Sequence, residues 1–180
     1  NLRRGDRIHG RRLGYPGGPA ISKLAVKGNP AAYKLPRPML TAKNFDFSFA
    51  GIKTAVMYIA TGIPGNTKLL GQRISKADMA ASFQQAVVDV LVGKTIRAAK
   101  QYKVKSVLLA GGVAANSELR RQLQAAVERS VPHAKYFQPA LEYCTDNAAM
   151  IAARGLQLFA QRKSWPWQKV HADPNWEVWG

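Results

Sequence analysis

The stretch VKSVLLAGGVAAN, Val104 to Asn116, decides the fold class. Val104 to Ala110 is β-branched and apolar over the length of one strand, and Gly111-Gly112 closes it. A helical pattern follows from about Asn116 to Arg129, with Leu119, Leu123, Ala126 and Val127 on one face. A strand that runs through two glycines into a helix is the repeating step of α/β architecture. The glycines also remove the Cβ atoms that would hold a nucleotide away, and the helix start offers unpaired N–H groups to phosphate or ribose. Asn116 can cap that helix or present its amide to a ligand hydroxyl, and a tight turn with an Asn cap accounts for the same residues without any ligand.

Working upstream, Ser75-Lys76-Ala77-Asp78 has capping-box spacing. Met79, Phe83, Ala86, Val87, Val90 and Leu91 then recur at helical spacing and predict an amphipathic helix to about Gln101, its far face carrying Lys94, Arg97 and Lys100. Phe45-Asp46-Phe47-Ser48-Phe49 alternates like a half-buried strand, and a short helix is expected over residues 52–60. Lys53 sits just inside that helix start, where a cation opposes the dipole and a phosphate or carboxylate partner would help. Gly14-Tyr15-Pro16-Gly17-Gly18-Pro19 reads as a turn with bare backbone open to a ligand. Gly62 to Gly71 reads as a loop.

Downstream, a short strand is expected over residues 134–138, a loop over 139–145, and a third helix from Asp146 to Gln161 with Met150, Ile151, Leu156 and Phe159 inward. Asp146 is first of all a candidate N-cap. As a metal ligand it needs companions, because one carboxylate cannot hold a cation. His9, His133 and His171 are isolated and supply no ligand-pair spacing. From residue 164 the chain carries Trp165, Trp167, Trp176 and Trp179, a segment fit either to pack on the domain's own core or to stack on bases.

The whole-chain arithmetic agrees with a folded, basic domain. The 180 residues include 27 Lys and Arg against 10 Asp and Glu, a net charge of +17, with 47% hydrophobic residues. Such a charge concentrates polyanions without distinguishing RNA from DNA, nucleotides or an anionic membrane. Ten of the cations lie in residues 1–43, against one acid, Asp6. Cys144 is the only cysteine, so no intramolecular disulfide forms and a reducing compartment fits. No apolar run reaches the length of a membrane span, and the basic start is not followed by a signal-peptide core. These features predict a cytoplasmic or organelle-matrix protein.

Four ordered stretches, GYPGGPAI (Gly14 to Ile21), FDFSFAGIKTAV (Phe45 to Val56), AGGVAAN (Ala110 to Asn116) and CTDNAAMIA (Cys144 to Ala152), resemble the C-terminal half of the TsaD/Gcp/Kae-type family. These are the tRNA N6-adenosine threonylcarbamoyltransferases. DMAASFQQAVVDVL, Asp78 to Leu91, is similar to that family too. The resemblance implies an α/β fold of the actin, Hsp70 and sugar-kinase (ASKHA) type, here the C-terminal lobe with an incomplete N-terminal lobe. On that reading residues 1–12 are an atypical basic lead-in, 13–163 the lobe and 164–180 a Trp-rich tail.

The implied activity is acyl transfer, moving a threonylcarbamoyl group from its adenylate to the N6 amine of the adenosine beside the anticodon. Carried over by motif, Gly18 and Asn116 match ligand-binding positions, Gly111 and Gly112 lie against the adenylate, and Asp146 matches a ligand of one divalent metal, iron or zinc. Asp6 would match a further binding Asp, although Gly5-Asp6-Arg7-Ile8 keeps little of the family's Phe-Asp-Lys pattern. No catalytic residue is assigned. The implied partners are tRNA, threonylcarbamoyl-adenylate and helper proteins of the pathway.

The family's His-x-x-x-His metal pair belongs to the N-terminal lobe, and its acidic DDAAGE segment is also absent here. The chain is therefore expected to be a fragment, a truncated paralogue or part of a split reading frame, inactive alone. The alternative is a non-catalytic basic RNA-binding or scaffold remnant of the same fold. A metalloprotease, the older label of the family, lacks both a zinc-ligand pair and a nucleophile with its base.

Overall fold

A computed structural model describes residues 7–8, 11–12, 17–61 and 74–163, together with 166, 168 and 171. Asp6, the 62–71 loop and the four tryptophans lie outside the described residues. The chain divides into two compact units, Asn1–Cys144 and Thr145–Gly180. Among the described residues no helix is long and apolar enough to cross a membrane.

In the first unit a two-residue antiparallel ladder pairs β1 (Arg7–Ile8) with β2 (Arg11–Arg12). Helices α1 (Gly17–Ala25), α2 (Ala50–Thr61) and α3 (Lys76–Gln101) follow. Then come β3 (Ser106–Leu108), a 3-10 turn at Gly112–Ala115, α4 (Ser117–Ser130) and β4 (Lys135–Phe137). β3 and β4 run parallel in the register Ser106↔Lys135, Val107↔Tyr136, Leu108↔Phe137, with α4 as the crossover. The strand-helix-strand step expected from VKSVLLAGGVAAN is thus present, with a strand shorter than its apolar run. The second unit contains α5 (Ala148–Ala160).

Helix α3 is the spine of the first unit. Its apolar stripe joins Val88 and Ala99 to Val107, Leu123 and Val127 in a cluster between α3, α4 and the parallel strands. Met79 and Ala86 pack with Leu35, Ile52 and Val56 in a second cluster beneath α2. Ala80 and Ala81 receive Ala25 of α1 in a third. Small residues on that third face let α1 approach α3 closely.

Four local expectations are corrected. The alternating Phe45–Phe49 segment forms no strand; it is irregular backbone, and side chains of α3 take carbonyls in it and just before it. Lys94 Nζ donates to the carbonyls of Asn44 and Asp46, and Arg97 Nη2 donates to Asn44 O at 2.6 Å. For the same reason Lys94 is not on a solvated face. It is 1% exposed, with its ammonium 5.6 Å from the centroid of the Phe47 ring, and Arg97 lies over Phe45 at 5.3 Å. A buried ammonium is tolerable because carbonyl oxygens and a ring face replace its water. Of the three cations placed on the far face, Lys100 alone is exposed.

Gly14 to Pro16 lie outside the described residues, but Gly17-Gly18-Pro19 of the same motif, read as a turn, instead open α1, with Pro19 in the first helical turn where its missing N–H costs nothing. The capping box is half formed. Ser75 Oγ accepts from Asp78 N at 3.2 Å, but the Asp78 carboxylate accepts from Asn29 N at 2.7 Å, which docks the 28–33 turn on the start of α3. The buried Ser82 completes that joint by accepting from Tyr33 N and donating to Asn29 O.

Gly28 is what lets this turn come so close: a Cβ there would lie 2.0 Å from the Ala77 carbonyl oxygen. Backbone cannot swing aside as a side chain end can. Gly28→Ala is therefore expected to destabilise the protein by about 1–3 kcal/mol. Gly18→Ala, where a Cβ meets nothing within 4 Å, is the control and should leave the midpoint of thermal unfolding nearly unchanged.

Candidate functional site

The cap of α4 is the centre of the site. Asn116 Oδ1 accepts from Leu119 N at 2.9 Å, the capping bond expected of it. Its Nδ2 donates to Ser22 Oγ at 2.9 Å and to Gln84 Oε1 at 2.8 Å. One amide therefore ties α1, α3 and α4 together. With three bonds in use, a single acceptor lone pair of Oδ1 is left for anything else.

Beside this junction lies a cavity of about 350 Å³. Gly18, Ile21 and Ser22 of α1 form one wall, and Phe83, Val87 and Leu91 of α3 form its floor. Phe49 and Lys53 come from the start of α2, and Val113, Asn116 and Leu119 close the far side. The lining is mostly apolar, with Ser22, Lys53, Gln84 and Asn116 as its polar groups. Such a slot accepts a flat or aliphatic group and offers a few polar contacts that fix its orientation.

The structure thus brings Gly18 and Asn116 to one cavity. Gly111 and Gly112 sit in the adjoining turn, exposed and outside the lining. Gly111 has φ +84°, a conformation that favours glycine. A Cβ at Gly111, Gly112 or Gly18 would meet nothing within 4 Å, and Gly112 and Gly18 lack the positive φ as well. Nothing inside the chain therefore requires glycine at Gly112 or Gly18, and both leave bare backbone open to a ligand.

Asp146 belongs to the second unit and is exposed. It is not the cap of α5. Asn147 holds that place, its Oδ1 accepting from Met150 N at 2.9 Å. The expected third helix accordingly begins two residues later than Asp146. None of its residues is buried, so Met150, Ile151, Leu156 and Phe159 are not inward within this unit. Among the described residues no group of three His, Cys, Asp or Glu could hold a metal ion. These residues do not fit a complete metal site, and Asp146 would supply one ligand of it at most.

Arg120 was not singled out by the sequence reading. Its Nε donates to Ala114 O, and its Nη2 to Pro139 O at 2.7 Å and to the buried Cys144 Sγ at 3.0 Å. One guanidinium thus fastens the glycine turn to the loop after β4, using the fork geometry that lysine lacks. The available signal was its position four residues after Asn116, on the same helix face. Beside it burial raises the Tyr136 phenol, an effect that the Arg120 charge partly offsets.

Comparison with known proteins bears on this arrangement. The family model described as TsaD, tRNA N6-adenosine threonylcarbamoyltransferase, matches residues 7–153. The chain belongs to this family. A relative named tRNA N6-adenosine threonylcarbamoyltransferase in Thermosipho africanus is 48% identical over 147 residues, 82% of this chain and 42% of the relative. Relatives of the same name in Herminiimonas arsenicoxydans and Anoxybacillus flavithermus are 51% and 52% identical, covering 79% and 84% of the chain. The chain spans about two fifths of the length of these TsaD relatives, 40% to 43% of the latter two. All four motif stretches fall inside the matched region.

Two substitutions test the junction. Asn116→Ala removes the cap and both cross-links and should lower stability by about 1–2 kcal/mol, measured by urea unfolding. Glu118, in the first turn of α4, is held below the ordinary carboxylate value by hydrogen bonds from Arg121 and Gln122. Its contribution is present above the unfolded carboxylate pKa and lost as pH falls through the lower folded value. Glu118→Gln should therefore reduce the loss of stability between about pH 5 and pH 3, read as the shift in urea midpoint across that range.

Proposed function

We propose that the chain contributes the C-terminal, actin-like lobe of a tRNA threonylcarbamoyl transferase, an acyltransferase acting on the adenosine beside the anticodon. The observation that carries this reading is the meeting of Gly18 and Asn116 at one apolar cavity beside the glycine turn. The threonylcarbamoyl-adenylate would lie there, its nucleoside against the apolar floor and its polar edges toward Ser22, Gln84 and Asn116. Gly111 and Gly112 would let its phosphate approach the backbone at the start of α4.

In the reaction the N6 amine attacks the carbamoyl carbonyl carbon, the bond to the phosphate oxygen breaks, AMP leaves, and one N6 proton passes to solvent. This chain's part is orientation: a ligand held by three helices that Asn116 locks together loses little further freedom on reaching the reactive geometry. Asp146 would give one ligand to a divalent metal, iron or zinc, whose companions are not among the described residues. Asp6 would be a further binding residue. Helper proteins of the pathway complete the partner set, in the cytoplasm or an organelle matrix.

The net charge of +17 favours a second reading, a basic RNA-binding scaffold of the same fold without chemistry. Transfer of labelled threonylcarbamoyl groups to tRNA separates the two. The purified chain is assayed alone and mixed with the portion of a TsaD relative that it does not cover. Transfer by the mixture and not by the chain alone, abolished by Asp146→Ala, is the expected result. Salt-sensitive tRNA binding without transfer in either case would leave the scaffold.

A further inference from the structure

Helices α3 and α4 both end where the parallel strands begin, so the α3–β3 and α4–β4 turns share one end of the layer, opposite the glycine turn. Lys100, Lys103, Lys105, Arg129 and Lys135 are all exposed there. Backbone bonds fix their placement: Lys103 N donates to Lys100 O at 3.3 Å, and Lys135 N donates to Lys105 O at 2.9 Å across the sheet. Over residues 97–105 and 127–137 the single carboxylate is Glu128. Among the described residues no ion pair engages any of the five cations. Two helix C-termini carry about half a negative charge each, which together with Glu128 leaves an excess of about three positive charges.

Beside them the Tyr102 ring is 66% exposed, one part braced on Phe45 at 5.7 Å between centroids. From Lys105 to Gly111 the chain covers about 20 Å, at ~3.3 Å per extended residue. A nucleotide in the cavity cannot reach these cations, whereas a nucleic-acid duplex presents a phosphate charge about every 1.7 Å along its axis.

We infer that this end of the layer is a second RNA contact, with Lys100, Lys103, Lys105, Arg129 and Lys135 on phosphates and Tyr102 available to stack on an unpaired base. It rests on the tRNA reading given above. It fixes the position of the RNA without reading sequence, as phosphate contacts do. An anionic membrane is the competing polyanion, but only Tyr102 is offered for insertion into it.

The test is tRNA binding by the full chain, followed by fluorescence anisotropy between 50 and 200 mM salt. The triple variant Lys103→Glu, Lys105→Glu, Lys135→Glu is compared with Lys23→Glu, Lys27→Glu, Lys34→Glu, which changes the charge equally at exposed lysines elsewhere. The first triple should weaken binding at least about tenfold and flatten the log–log salt slope by about 2 to 3. The second should cost less than about threefold. Circular dichroism confirms that both variants fold. Equal losses in the two triples, tighter binding to phosphatidylserine vesicles than to tRNA, or no tRNA binding at all would each overturn the surface. Transfer assays fail independently: a chain that binds tRNA through this end yet never supports transfer keeps the contact and removes the transferase reading.

Discussion

Everything in the first unit depends on α3 being buried on several sides at once. A helix in that position has little surface left for solvent, so its charged side chains between Lys76 and the exposed Lys100 find partners in what packs against them. Lys94 and Arg97 do this by capturing the carbonyls of the 40–46 segment, Arg97 Nη1 also reaching Leu40 O at 3.2 Å. The segment in turn needs no strand partner. A buried cation and an irregular stretch of backbone thus satisfy each other, and removing either would leave the other with unpaid desolvation.

The same logic builds the cavity. Phe49 and Lys53 reach it because the backbone before α2 is held on α3. Val113 reaches it because Arg120 fastens the glycine turn from behind. Asn116 sets the spacing between the walls. The groups that would touch a ligand are few, and they are held in place by Lys94, Arg97 and Arg120 on backbone carbonyls and by the Asn116 amide on Ser22 and Gln84.

Most of this layout was legible in the residues. Periodicity located α3 and α4, and the Ser75 and Asn116 caps fell where capping chemistry puts them. Motif resemblance picked out Gly18 and Asn116, which do share a cavity. Pattern reading failed where tertiary partners override local preference. The alternation of Phe45, Phe47 and Phe49 is the pattern of a half-buried strand, but periodicity cannot say whether a neighbouring strand or a lysine will take carbonyls there. Lys94, Arg97 and Lys100 share a helical spacing, and only the packing of the 40–49 segment separates the buried member from the exposed one. At Asp146 the competition lay between adjacent residues, and Asn147 took the cap.

The Asn116–Ser22 bond closes 94 residues of chain, whereas α3, β3, α4 and β4 are consecutive and meet through short connections. Loop-closure entropy therefore weighs more on the docking of α1 than on the strand-helix layer. The strand-helix layer can gather on α3 from local contacts. Helix α1 closes the longest of these loops, and the cavity exists only where α1 and the start of α2 are docked. Release of α1 would remove one wall of the cavity while leaving the contacts of the strand-helix layer with α3 in place.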